Sequence, residues 1–195
     1  MNIERHTKVL FAVAGLGVAS VAQAHPGHGV PGGFGSGFVH PFTGLDHILA
    51  MLAVGLWAAQ QGGRARWGLP LAFVGMMVAG SLLALGGATL PAIEPMIAVS
   101  VLALGFLISL SARVPLAAGA LLVGAFGMWH GYAHGLELRG DVSAAGFIAG
   151  FALATATLHA IGLSAGTLLN TRLHRVLRVG GAAIGVVGAL LLVGL

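Results

Sequence analysis

From residue 41 to the C-terminus the chain alternates long apolar runs with brief polar or glycine-rich interruptions. Six apolar segments stand out, near 41–61, 67–88, 95–111, 115–136, 144–168 and 175–195. Each is roughly 17–25 residues long, enough to carry a helix across about 30 Å of hydrocarbon. Gly62-Gly63, Gly86-Gly87 with Pro91, and Pro115 punctuate them, residues that end helices. The pattern predicts an all-α membrane protein, a bundle of six transmembrane helices. No repeat of convincing period accompanies it. An inverted three-plus-three repeat would suit six spans but is not visible in the residues.

A shorter apolar run, residues 9–21, precedes the six. Arg5 and Lys8 stand before it and Ala22-Gln23-Ala24 after it, the layout of a cleaved secretory signal peptide over residues 1–24. A retained first span is the alternative, but the run is short for one. Residues 25–39 then form an exported leader rich in Gly and His, and residues 40–195 the six-span domain. Cleavage exposes His25, whose amine and imidazole, with the ring of His28, offer nitrogens to one metal ion. The plain alternative is a disordered leader, since the glycines between 27 and 37 make a flexible linker.

Composition agrees with the pattern. The chain is 57% hydrophobic and 7% charged, where a soluble domain carries about 25% charged residues. A pI of 11.2 invites a nucleic-acid partner, but the nine Lys/Arg are scattered and read better as topology signals. Arg64 and Arg66, Arg113, and Arg172, Arg175 and Arg178 fall in alternate loops. The remaining loops hold Arg139 beside Glu94, Glu137 and Asp141. The positive-inside rule puts the first set in the cytoplasm, so both termini are expected in the periplasm. That agrees independently with an exported N-terminus. The absence of cysteine excludes disulfides, thiolate metal sites and cysteine nucleophiles. Thirty-three glycines permit close approach of spanning helices.

Two clusters carry chemistry. His40-Pro-Phe-Thr-Gly-Leu-Asp46-His47 opens the first span. Read as one helix begun by Pro41, it sets His40 and His47 on one face, with Asp46 about 100° from His47. His130-Gly-Tyr-Ala-His134-Gly-Leu-Glu137 closes the fourth span, with His130, His134 and Glu137 on one stripe. On the expected topology both clusters lie at the outer membrane level. Ionisable groups at that depth point to function, and two His/carboxylate helices facing each other are what a metal site requires. Hydrated caps, or polar helices bonded to each other, are the plain alternatives. Imidazole and carboxylate without thiolate suit Ni²⁺, Co²⁺, Zn²⁺ or Cu²⁺. Gly127, Gly131 and Gly135 make a small-residue face that admits another helix. Two lone groups extend the set. Glu94, at the start of span three, is a ligand or simply a favourable helix-dipole partner. His159, about 24 Å along span five from Ser143, is a relay toward the cytoplasm or a hydrogen-bonded core histidine. The six Met are soft ligands or, as is more usual on apolar faces, core packing.

His40-Pro-Phe-x-Gly-x-Asp-His47 followed by Leu49-Ala-Met-Leu-Ala-Val-Gly-Leu-Trp57, and His130-Gly-x-Ala-His134-Gly-x-Glu137, closely resemble the HupE/UreJ family. The resemblance runs over nearly the whole chain. It implies a multi-pass protein of the bacterial inner membrane that takes up Ni²⁺ for hydrogenase or urease maturation, with Co²⁺ for some relatives. It implies no prosthetic group and no enzymatic activity. The bilayer and the transported ion are the expected partners, nucleic acid is not, and association into a homo-oligomer stays open. Competing readings are an intramembrane metal-dependent hydrolase and a bis-His haem electron carrier. The chain has no His-Glu-x-x-His motif and no nucleotide-binding motif for ATP-driven transport.

Overall fold

The apolar runs become helices of the expected length. The computed structural model describes residues 33–138 and 143–194, so the signal peptide, His25 and His28 lie outside the described residues. Among the described residues seven α-helices run in order: α1 Phe34–Val39, α2 Leu45–Gln61, α3 Ala65–Leu85, α4 Ile93–Leu110, α5 Leu116–Glu137, α6 Ala144–Arg172 and α7 His174–Leu192. A 3₁₀ turn, His40–Phe42, separates α1 from α2. No strand occurs among the described residues. Helices α3 to α7 are each long and apolar enough to cross a bilayer, and Phe34–Phe42 with Leu45–Gln61 make a sixth candidate if taken as one broken span.

The start of span one differs from the expectation of a single helix. The chain bends by 85° between the His40–Phe42 turn and α2. Pro41 does open a helical turn, but a 3₁₀ turn, whose last carbonyls and Gly44 in extended conformation stop the α-helix ladder. His40 and His47 therefore do not share a helical face. Part of the expected leader, α1, packs along α6. Gly37 lies against the Phe147 backbone and Gly150 against that of Phe34.

Six helices pack as three close pairs. A Cβ on Gly55 would overlap the backbone of His159 and Leu163, and one on Gly166, a turn further along α6, would meet Leu56 and Ala59, a turn further along α2, so the two helices lie in parallel register. Gly127, Gly131 and Gly135 face Phe73, Met77 and Ser81 in the same way, so α5 lies parallel to α3. Gly105 meets Gly185 and Gly188 meets Leu102, so α4 runs antiparallel to α7. Exchanging α2–α4 for α5–α7 turns the first pair into the second and returns the third to itself. This is the pairing a three-plus-three repeat would give. The glycine face of α5 thus receives α3, and the two histidine-bearing helices α2 and α5 meet through side chains instead.

Large apolar side chains cover the outside. Trp67, Leu71, Leu121 and Val179 are each more than two-thirds exposed. Such a surface is stable facing lipid, where helices satisfy their own backbone hydrogen bonds. The polar ends differ in sign. Asp46, Glu94 and Glu137 start or finish helices at one end. Arg64, Arg66, Arg113, Arg172, Arg175 and Arg178 stand at the other. There Trp57 donates to the Ala112 carbonyl at 3.0 Å, Gln60 to that of Ile108 at 3.0 Å, and Arg178 to that of Ser109 at 2.7 Å. The protein is a multi-pass membrane protein with a buried polar cluster near one end.

Candidate functional site

The cluster is built from four directions. The 3₁₀ turn supplies His40, the first turn of α2 supplies Asp46 and His47, and the last two turns of α5 supply His130, His134 and Glu137. Phe147 and Phe151 of α6 wall it from behind. The break after Phe42 matters here. A continuous helix would hold His40 two turns above His47, about 10 Å away along the axis. The bend folds it over the cluster, so the His40 ring meets the His134 ring edge-on at 4.3 Å.

The hydrogen bonds fix the ring tautomers. His47 Nδ1 donates to Asp46 Oδ1 at 2.7 Å, and the same carboxylate oxygen accepts the His47 backbone N–H at 2.8 Å. His47 Nε2 is therefore left with its lone pair, and His134 Nε2–H donates to it at 2.6 Å. Glu137 Oε2 lies 3.6 Å from His134 Nδ1 and 3.8 Å from His40 Nε2. One ligand atom from each of His40, His134 and Glu137 falls within 4.8 Å of the others. His130 Nδ1 donates to the Phe126 carbonyl at 2.9 Å, which leaves His130 Nε2 buried with a lone pair and no partner. Its ring stands 5.0 Å from that of His47. A buried acceptor without a donor costs about 1–3 kcal/mol, so an arrangement of this kind stands at a cost that a bound cation would relieve.

All six residues of the two sequence clusters are thus brought into one group. Glu94 joins from across a cleft of about 450 Å³ that Asp46, His47, His134 and Glu137 also line. Its loop is tied to α5, since Trp129 donates to the Pro91 carbonyl at 3.0 Å and Tyr132 to the Ala88 carbonyl at 2.8 Å. His159 stands apart, its ring 5.1 Å from Phe73, whose other neighbour is His130 at 5.4 Å. It is buried and neither ring nitrogen has a partner, so it is not the hydrogen-bonded core histidine that was the plain alternative.

Phe73 and the sulfurs of Met51 and Met77 were missed by sequence reasoning. Met and Phe on apolar helices carry no signal of their own. The one clue was register: Met51 follows His47 by four residues on α2, as His134 follows His130 on α5.

Residues 12–191 match the family described as HupE / UreJ protein. Protein HupE of Rhizobium leguminosarum bv. viciae is 41% identical over 191 residues, covering 97% of this chain and all of that protein. No solved structure matches the chain significantly. The chain belongs to the HupE/UreJ family, a family of membrane transport and accessory proteins and not of enzymes.

Proposed function

We propose that the protein is a secondary permease that imports a divalent transition metal, Ni²⁺ before Co²⁺, for the maturation of hydrogenase or urease. The observation that carries this reading is the convergence of His40, His134 and Glu137 within 4.8 Å, with the His47–Asp46 pair on the other nitrogen of the His134 ring. Two nitrogens bound at about 2.0–2.1 Å to one ion stand about 2.9 Å apart at a right angle and about 3.4 Å apart at the tetrahedral angle. His47 and His134 at 2.6 Å are within a few tenths of an ångström of the right-angle spacing. A divalent ion there takes the place of the proton between the rings, which shifts to His134 Nδ1, 3.6 Å from Glu137 Oε2, so both rings bind as neutral imidazoles. Asp46 holds His47 with its free nitrogen aimed at the ion and raises its basicity.

The orientation follows from charge. The arginine end faces the cytoplasm and the histidine end, the leader and both termini face the periplasm of a bacterial inner membrane. Residues 1–24 are the signal peptide, 25–39 the leader and 40–195 the permease domain. His25 and His28 gather ions at scarce metal. Glu94 meets the ion in the cleft, and His159 receives it beyond Phe73. A membrane potential of 100 mV, inside negative, favours inward movement of two charges by about 4.6 kcal/mol, which makes a separate fuel unnecessary.

The test is nickel accumulation normalised to protein in the membrane. Asp46→Asn, His47→Ala and His134→Ala are expected to abolish it at normal abundance. Leu121→Ala, on the lipid face, is the control and is expected to transport. Accumulation like that of the parent in all three variants would mean that the cluster is structural and the permease reading is wrong.

A further inference from the structure

One turn further into the bundle from the entrance cluster, four helices each contribute one polar or sulfur atom. On α2, Met51 follows His47 by one turn. On α5, His130 precedes His134 by one turn. From α3 comes Met77, and from α6 Thr155. All four are buried, none more than marginally exposed. The Thr155 hydroxyl lies 3.4 Å from the Met51 sulfur and 3.5 Å from the Met77 sulfur. It holds two thioethers from different helices toward one point. His130 adds its unpartnered Nε2 at the same level.

A third level follows. His159 comes one turn after Thr155 on α6, and Phe73 one turn before Met77 on α3. Each step of four residues is about 6 Å of depth. The His159 ring has two unpartnered nitrogens, and Phe73 lies between it and His130. A cleft of about 210 Å³ between α3 and α6, lined among others by Pro70, Leu71, Val74 and Arg66, reaches His159 from the arginine side. Pro70 has no N–H to give the Arg66 carbonyl, which leaves an oxygen acceptor beside that cleft.

Ordinary core packing explains the Met and Phe but not the imidazoles. Three buried ring nitrogens on two helices have no donor or acceptor, and each is unfavourable in an apolar interior. One nitrogen of each ring carries a lone pair, and those two are the atoms that a cation in transit would satisfy.

We propose that Met51, Met77 and His130 form a second cation station inside the membrane, where a borderline or soft divalent ion is held by thioether sulfur and imidazole between the entrance cluster and the arginine-side cleft, with His159 as the next group inward. This rests on the permease reading and adds to it. Neutral, weak thioether donors suit an ion that must leave again, since conduction needs sites that bind without trapping. They also discriminate, because Ni²⁺, Co²⁺ and Cu²⁺ accept sulfur while Mg²⁺, Ca²⁺ and Mn²⁺ prefer oxygen. Thr155 acts as a positioning residue: its hydroxyl proton fixes both sulfurs when no ion is present.

The experiment uses the full-length protein, purified and loaded with Ni²⁺ alone. X-ray absorption at the nickel edge is expected to show nitrogen and oxygen neighbours together with a minor sulfur shell. Met51→Leu with Met77→Leu conserves volume, so folding is expected to survive. It should remove the sulfur shell, lower bound nickel and reduce nickel accumulation several-fold, while the nitrogen and oxygen shell remains. Thr155→Val should weaken the sulfur shell, and Thr155→Ser should restore it. His159→Leu should lower accumulation without touching the sulfur shell.

If the parent shows nitrogen and oxygen only, and the double Met variant transports normally, the second station is refuted and the permease reading stands. If uptake falls in the Met variants with no sulfur shell in the parent, these residues serve packing or proton movement, and the station is again refuted. If the parent neither binds nor accumulates nickel, the permease reading itself fails.

Discussion

The helix α5 has two very different neighbours. Against α3 it presents Gly127, Gly131 and Gly135, and backbone touches backbone, with the Ser81 hydroxyl donating to the Gly131 carbonyl across the seam at 2.9 Å. Toward α2 it presents His130 and His134, which reach across the interior to meet His47. The first contact leaves no volume and is held by many small dispersion terms. The second is a gap spanned by rings with lone pairs to spare. The difference shows where a ligand can go: helices that touch through glycine make a rigid frame, and the space between frames is where polar side chains converge. Both contacts lie on one helix, each histidine next in sequence to a seam glycine (His130-Gly131 and His134-Gly135), so the frame sets the position of the rings directly.

The largest effect is expected from breaking the frame. Gly131→Leu places a side chain into the Met77 backbone, where there is no room to give. The α3–α5 pair should separate and the protein should disappear from the membrane fraction, measured by immunoblot. Normal abundance with normal transport would show that the seam is less tight than the structure has it. Loss of Asp46 charge, by contrast, is expected to leave abundance intact and stop transport, as set out above, which separates the frame from the gap.

Acidification acts on the gap alone. Protons compete with the ion for the imidazole nitrogens, so the apparent KM for nickel should rise as the pH falls while saturating metal restores the rate. A fall in the maximal rate with unchanged KM would locate the proton effect elsewhere. Orientation of the whole assembly is tested with single cysteines. Gly35→Cys is tolerated sterically, since no atom lies within 4 Å of its Cβ position. An impermeant thiol reagent should label it in intact cells and should not label Thr171→Cys. The reverse pattern would invert the proposed topology. The smallest effect is expected from His25→Ala with His28→Ala, which should slow uptake at scarce nickel and matter little at abundant nickel. Complete loss at saturating metal would make the leader part of the ion path.

Hydrophobic length made the helices legible. The segments near 95–111, 115–136 and 144–168 needed only small adjustment to become α4, α5 and α6, because the thickness of a bilayer fixes span length and few charges interrupt it. The six residues of the paired clusters were legible because charge and imidazole at the mouth of an apolar run have no cheap structural explanation.

What the chain by itself determined was therefore the membrane class, the number of apolar runs and the chemistry of the candidate ligands. Tertiary structure decided which of them meet. Only the 85° bend after Phe42 carries His40 over His134, since a straight helix would have held it out of reach. Only the glycine seams, which join α5 to α3 and α2 to α6, hold His47, His130 and His134 on a common point and converge Met51, Met77 and Thr155 beneath them. Spacing along one helix is a local property of the backbone. Proximity between helices is set by which small residues let two backbones touch, and that is decided jointly by partners far apart in the chain.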